Sequence, residues 1–194
     1  MERSITKAQH RPQQLYVAYA KPDSHFRAQL ALHLIPIERQ GKIVFWHDCL
    51  ILPGQDRTAT IDKMIENADI ILVLVSPDLI ASDYVYESAV RRALERHEEG
   101  SAMVIPILLR PCLWLKTPLC QLQALPENGR EIKCWADKDA AWLDVAKGID
   151  NVVHELRVRS LRPRSKDKMA MPSCRSKSIW RKLPPTLMGQ RQRS

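Results

Sequence analysis

Few side chains in this sequence stand in an order that chemistry can use. His47, Asp48 and Cys49 are all metal-capable types, but three consecutive residues leaving a strand cannot all face one ion, so no metal site is expected. The cysteines at 49, 112, 120, 134 and 174 are odd in number and fall in no CxxC or CxxxxC spacing, which fits reduced thiols better than a disulfide framework. There is no Walker-type phosphate loop, no GxGxxG after the first apolar run and no GxSxG elbow, which argues against nucleotide binding by those routes and against hydrolase-type serine catalysis. The histidines at 25, 33, 47, 97 and 154 fall mostly on predicted helix faces and read as surface or packing residues. What remains is a scatter of carboxylates and hydroxyls, Asp48, Asp56, Asp78, Glu87, Ser76, Tyr19 and Tyr84, whose use depends on the elements that carry them.

Those elements are legible from periodicity. The segment 15–19, LYVAY, is short, β-prone and followed by Lys21-Pro22-Asp23, a strand and then a loop. Asp23 or Ser24 can cap a helix with Phe26, Leu30 and Leu34 on one face, ended by Gly41. The segment 42–46 is a second strand, and Leu52-Pro53-Gly54 a tight turn beyond it. Asp56 is best explained as the cap of a second helix with Ile61, Met64, Ile65 and Ala68 inward. Residues 70–75 are six aliphatics without polar alternation and must be buried on both faces, as in a central parallel strand. A third helix follows over about 83–97, and then a fourth strand, 103–109, whose Pro106 places it near the sheet margin. A long connection pinned by Trp114 and Leu122 leads to a short fifth strand at 132–135. Asp139 is expected to cap the last helix, with Trp142, Val145, Ile149, Val152, Val153 and Leu156 inward.

Strict strand and helix alternation predicts an α/β three-layer sandwich around a five-stranded parallel sheet of order 2-1-3-4-5. In such a sheet, ligands gather at the carboxyl ends of the strands where the winding reverses, here between the first and third strands. The domain is expected over 14–157, after a disordered 1–13 and before a disordered basic tail, 158–194. Residues 157–194 hold twelve Lys or Arg and one acid, Asp167, a net +11. The other residues, with 18 basic and 21 acidic, carry a net −3, so the overall +8 belongs to the tail, which alone is a candidate for polyanions. The N-terminus has no apolar signal region, and the longest aliphatic run falls far short of the about 20 residues that span a bilayer. A cytoplasmic protein that does not span a membrane is expected.

Four blocks in order, LYVAYAKPD, FWHDCLILPGQD, ADIILVLVSPDLIASDYVYESAVRRALERHEEG and VIPILLRPCLW, resemble the TIR (Toll/interleukin-1 receptor) domain family, closest to its bacterial branch. The resemblance runs over about 15–156 and implies a flavodoxin-like fold. It also implies association with other copies or other TIR proteins through the loop after the second strand, about 47–55, with Pro53 and Gly54 at its tip.

Some such domains cleave NAD+ at the nicotinamide glycosidic bond, a reaction in which NAD+ is substrate and no cofactor is needed. One carboxylate beside the ribose stabilises the oxocarbenium-like transition state. In the family that group is a glutamate on the third helix, four residues after an aromatic. Tyr84 matches the aromatic, but Ser88 and Ala89 stand at the expected glutamate positions, and the nearby carboxylate is Glu87. The resemblance thus implies Glu87 as catalyst and Tyr19, Ala20, Lys21, Asp48, Pro53, Gly54, Ser76 and Tyr84 as substrate contacts. Two further departures are Ala18, where the family commonly has Ser, and Arg57, where bacterial relatives often have Trp. The alternative is a non-catalytic interaction module in signal transduction. A third reading keeps the fold with a nucleoside-deoxyribosyltransferase-like role.

Overall fold

The computed structural model describes residues 11–82 and 85–161. In chain order the elements are β1 (Gln13–Ala18), α1 (Ser24–Arg39), β2 (Ile43–Trp46), α2 (Arg57–Asn67), β3 (Ile70–Val75), the short α3 (Pro77–Ile80), a π-helical segment (Val85–Val90), α4 (Arg91–Glu98), β4 (Met103–Leu108) and α5 (Lys138–Leu161). Residues 1–10 and 162–194, on which most of the expected terminal disorder falls, lie outside the described residues. β1 begins at Gln13, and Arg11 ahead of it is paired with Asp69 at 2.8 Å.

The sheet is parallel throughout, in the order β2-β1-β3-β4. Every side chain of β3 is fully buried. Strand alternation sends Leu15, Val17, Ile70, Leu72 and Leu74 to one face, where α1 and α5 cover them. Tyr16, Ala18, Ile71, Val73 and Val75 go to the other, beneath α2, α3, the π-helical segment and α4.

The fifth strand does not form. The expected segment contains a 3-10 turn, Ile132–Cys134, in which only Ile132 is buried, so one apolar plug replaces an alternating strand. Beside β4 stands Leu125 instead, as an isolated parallel bridge to Ile107. Its N–H donates to the Pro106 carbonyl, and its own carbonyl accepts from Leu108 N–H, both at 2.8 Å. Pro126 follows and has no N–H with which to extend a ladder. The Pro106 carbonyl faces Leu125, so its proline nitrogen faces the same way, and the missing donor takes nothing from the β3 pairing.

Two of the helix starts carry aspartate caps. Asp56 caps α2, its carboxylate accepting from Ala59 N–H at 3.1 Å. For α5 the cap is Asp137, whose Oδ1 accepts from Asp139 N–H (2.9 Å) and Ala140 N–H (3.2 Å). Asp139 is already inside the helix. At the other end of α2 the buried Arg96 donates to the carbonyls of Ile65 and Ala68, placing a cation where the helix dipole is negative.

Gly148 sits in the middle of α5, where glycine is ordinarily unfavourable. A Cβ there would lie 2.7 Å from Leu125 Cδ2 and 2.9 Å from its Cδ1, so the leucine side chain, packed in the core at 6% exposure, would have to shift. Gly148→Ala is therefore expected to destabilise the protein by about 1–3 kcal/mol, the usual cost of overpacking, against the gain normal for an exposed helix site. Urea unfolding checks the sign, and a stabilised variant would refute the close packing.

Candidate functional site

The crevice expected to hold a ligand, outside the ends of β1 and β3, is occupied by the protein's own charges. Asp23 stands at the N-cap position of α1 but makes no capping bond with its side chain. Its carboxylate is only 1% exposed and turns inward, accepting from Ser76 Oγ at 2.5 Å and from Arg110 Nη2 at 2.9 Å. Ser76, fully buried, also caps α3 by accepting from Leu79 N–H at 3.1 Å. Arg110, just past β4, donates to Asp78 as well, and that hydrogen bond holds its pKa above the usual arginine range. Three strand ends are thereby tied together by one buried acid and one guanidinium. Reading Asp23 as a helix cap missed this role, because only the tertiary fold brings positions 76 and 110 beside it.

A second cluster lies at the end of β2. Asp48 accepts from the Tyr19 hydroxyl and from Arg57 Nη2, the latter at 2.7 Å. Tyr19 leaves β1 and Arg57 opens α2, so this carboxylate fastens the start of the loop after β2 to both neighbours. Arg57, at a position where bacterial relatives often have Trp, is an ion-pair partner here. The Arg27 guanidinium lies 5.9 Å over the Tyr19 ring. Next in the chain, His47 has its pKa lowered by burial and then by the positive Arg27, with Asp48 opposing.

Of the other expected contacts, Ala20 is buried and Lys21 exposed in a 3-10 turn, Lys21–Asp23. Pro53 and Gly54 are exposed at the tip of the loop after β2, Gly54 with φ +87° as a turn glycine requires. Tyr84 lies outside the described residues, as does the side chain of Glu87. At the two positions where a glutamate was expected, Ser88 is exposed and Ala89 is 4% exposed, packed among the residues beneath the sheet. The inward position thus offers a methyl group and no charge. The structure brings together Tyr19 with Asp48, and Ser76 with the unforeseen Asp23 and Arg110.

Loop and helix surfaces near these clusters carry exposed apolar side chains. Trp46 ends β2 at 39% exposure, and Leu50 and Leu52 in the following loop are 48% and 65% exposed. On the opposite side of the crevice an open cleft of about 370 Å³ lies between the start of α1, Arg110 and the residues around Lys133 and Lys138. Among the described residues, no helix is long and apolar enough to cross a membrane.

A parallel sheet wrapped by helices, with charge-locked strand ends and an apolar loop after the second strand, defines a doubly wound α/β domain of the flavodoxin-like kind. The chain belongs to the TIR domain family, whose pattern it matches over residues 15–141. It is 46% identical over 135 residues to the uncharacterized protein y4lF of Sinorhizobium fredii, covering 70% of this chain and 42% of that protein, so it spans less than half the length of this relative. Similar solved structures include the TIR domain of the Toll-related receptor TRR-2 from Hydra magnipapillata, 22% identical, with a TM-score of 0.44 over 77% of this chain and 98% of that one. Another is the RPS4 and RRS1 TIR domain heterodimer, 13% identical, with a TM-score of 0.45 over 73% and 99%.

Removing the buried acid should leave Arg110 with Asp78 alone and Ser76 without its acceptor. Asp23→Ala is expected to cost about 2–3 kcal/mol, below the 3–5 typical of a fully buried pair because Arg110 keeps a quarter of its side chain exposed. Urea denaturation reads this directly, and a loss under about 0.5 kcal/mol would contradict a tying role.

For His47 the lowered folded pKa means that the unfolded chain binds the proton more readily. Its contribution to stability is whole above the ordinary histidine pKa of 6.5 and falls as pH drops through that value toward the lower folded one. Stability of His47→Gln should therefore fall less than wild type between about pH 7 and 5. Parallel slopes for the two proteins would show that His47 is not the group responsible.

Proposed function

We propose that this chain is a TIR signalling module that works by association with other copies of itself or with other TIR domains, through the surface formed by the end of β2 and the loop after it. The observation that carries this reading is the exposure of Trp46, Leu50 and Leu52 together on one short stretch. Three exposed apolar side chains here exceed the pair Leu113 and Leu115 and the single exposed leucines elsewhere among the described residues. Asp48, bonded to Tyr19 and Arg57, gives that loop a firm root, which lowers the entropy lost when it docks.

Contact alone suffices for this reading. The catalytic alternative requires a carboxylate at the inward face of the segment after β3, where Ala89 is buried. The π-helical winding of Val85–Val90 does not restore the match, because a wider turn moves the same-face position later in the chain, toward Ala89 and away from Glu87. In that second reading NAD+ is cleaved to nicotinamide with Glu87 as the catalytic carboxylate and Tyr84 beside it, in the assembled protein.

Leu52→Asp is expected to reduce self-association at least tenfold in sedimentation velocity, with the far-ultraviolet circular dichroism unchanged, because a desolvated charge at a contact centre costs upwards of about 1.4 kcal/mol. Unchanged sedimentation would reject this loop as the contact. Concentrated protein incubated with NAD+ is expected to release no nicotinamide above a blank. Release that disappears in Glu87→Ala would select the catalytic reading instead.

A further inference from the structure

The cleft between the start of α1 and α5 is used by neither reading, and its lining has a consistent chemistry. Three cations reach it from separate parts of the chain: Arg110 from the end of β4, Lys133 from the 3-10 turn Ile132–Cys134, and Lys138 from the first position of α5. Like charges brought into one depression repel, and a fold keeps such an arrangement where something negative offsets it. Arg110 is already offset by two carboxylates, Asp23 and Asp78, whereas Lys133 and Lys138 have no carboxylate partner among the described residues.

Arg110 makes its ion pairs through Nη2, and its Nε is buried with no hydrogen-bond partner among the described residues, so the two lysines are the cations offered to the cleft. Lys133 is exposed and has no carboxylate partner among them, its backbone N–H being what holds it, to Leu109 O at 2.9 Å. Lys138 Nζ donates to the carbonyls of Lys133 (2.7 Å) and Trp135 (2.5 Å), which uses two of its three protons and fixes the ammonium at the rim. α1 adds the positive end of a sixteen-residue helix without a side-chain cap.

Apart from Gln29, the rest of the wall is made of rings. Pro22 and Phe26 line it, and the exposed His25 ring lies against Phe26 with centroids 4.0 Å apart. A volume of about 370 Å³ falls in the range of small-molecule sites. Cations at one side and a ring surface at the other suit a small ligand carrying both a phosphate and a planar ring. We propose that this cleft binds a nucleotide-type phosphate monoester, its phosphate held by Lys133 and Lys138 and its ring laid on His25. The site is separate from the association loop and from the segment carrying Glu87.

The test is calorimetric titration of the full chain with AMP, inorganic phosphate and adenosine, at fixed salt. AMP is expected to bind more tightly than phosphate, and adenosine least. Lys133→Glu, an exposed substitution, should weaken AMP binding about tenfold, and His25→Ala should bring AMP down to the affinity of inorganic phosphate. The basic stretch 157–194 attracts any phosphate by charge alone, and that binding would survive Lys133→Glu. AMP binding equal in wild type and Lys133→Glu, or no preference of wild type for AMP over phosphate, would overturn the proposal. Circular dichroism melts of both variants confirm that each is folded when titrated.

Discussion

Burial of β3 on both faces is the constraint from which the rest of this structure descends. Six consecutive aliphatic side chains without exposure cannot be covered by one layer, so helices must pack above and below the sheet. Covering both faces of a parallel sheet requires crossovers, and crossovers put every strand's carboxyl end on the same edge. Chemistry-bearing side chains at positions 19, 23, 48, 76, 78 and 110 are neighbours for that reason alone.

At that edge the protein spends its charges on itself. Asp23, Ser76 and Arg110 lock β1, β3 and β4 together, and Asp48 fastens the root of the following loop to β1 and α2. Buried pairs of this kind contribute little net stability compared with apolar packing, but they permit one arrangement and penalise others. Outside that edge lie the exposed apolar side chains after β2 and the cleft beside α1. Neither depends on the inward position after β3, where Ala89 packs as core.

How much of this was readable along the chain depended on the range of the interactions. Four strands and the inward faces of α1, α2 and α5 follow from periodicity, which is a local property, and the order of those four strands agrees with that expected from strict strand and helix alternation. The segment at 132–135 misled because Ile132 and Trp135 suggest a strand, whereas the sheet margin is already taken by Leu125 and closed by Pro126. The cap of α5 was misplaced by two residues because Asp137 and Asp139 are chemically equal and only the backbone shows which one precedes the first turn.

What the amino-acid order determined by itself is the fold class and the family, since both rest on short-range pattern and on motif blocks that survive without a structure. It also placed Ser76, Tyr19 and Asp48 at strand ends. Tertiary structure alone decided their partners. Ser76 meets an aspartate 53 positions away, Arg110 meets the same aspartate across 87, and Gly148 is required by a leucine on a different element. Those pairings depend on how the crossovers close, a long-range geometry that no local spacing encodes.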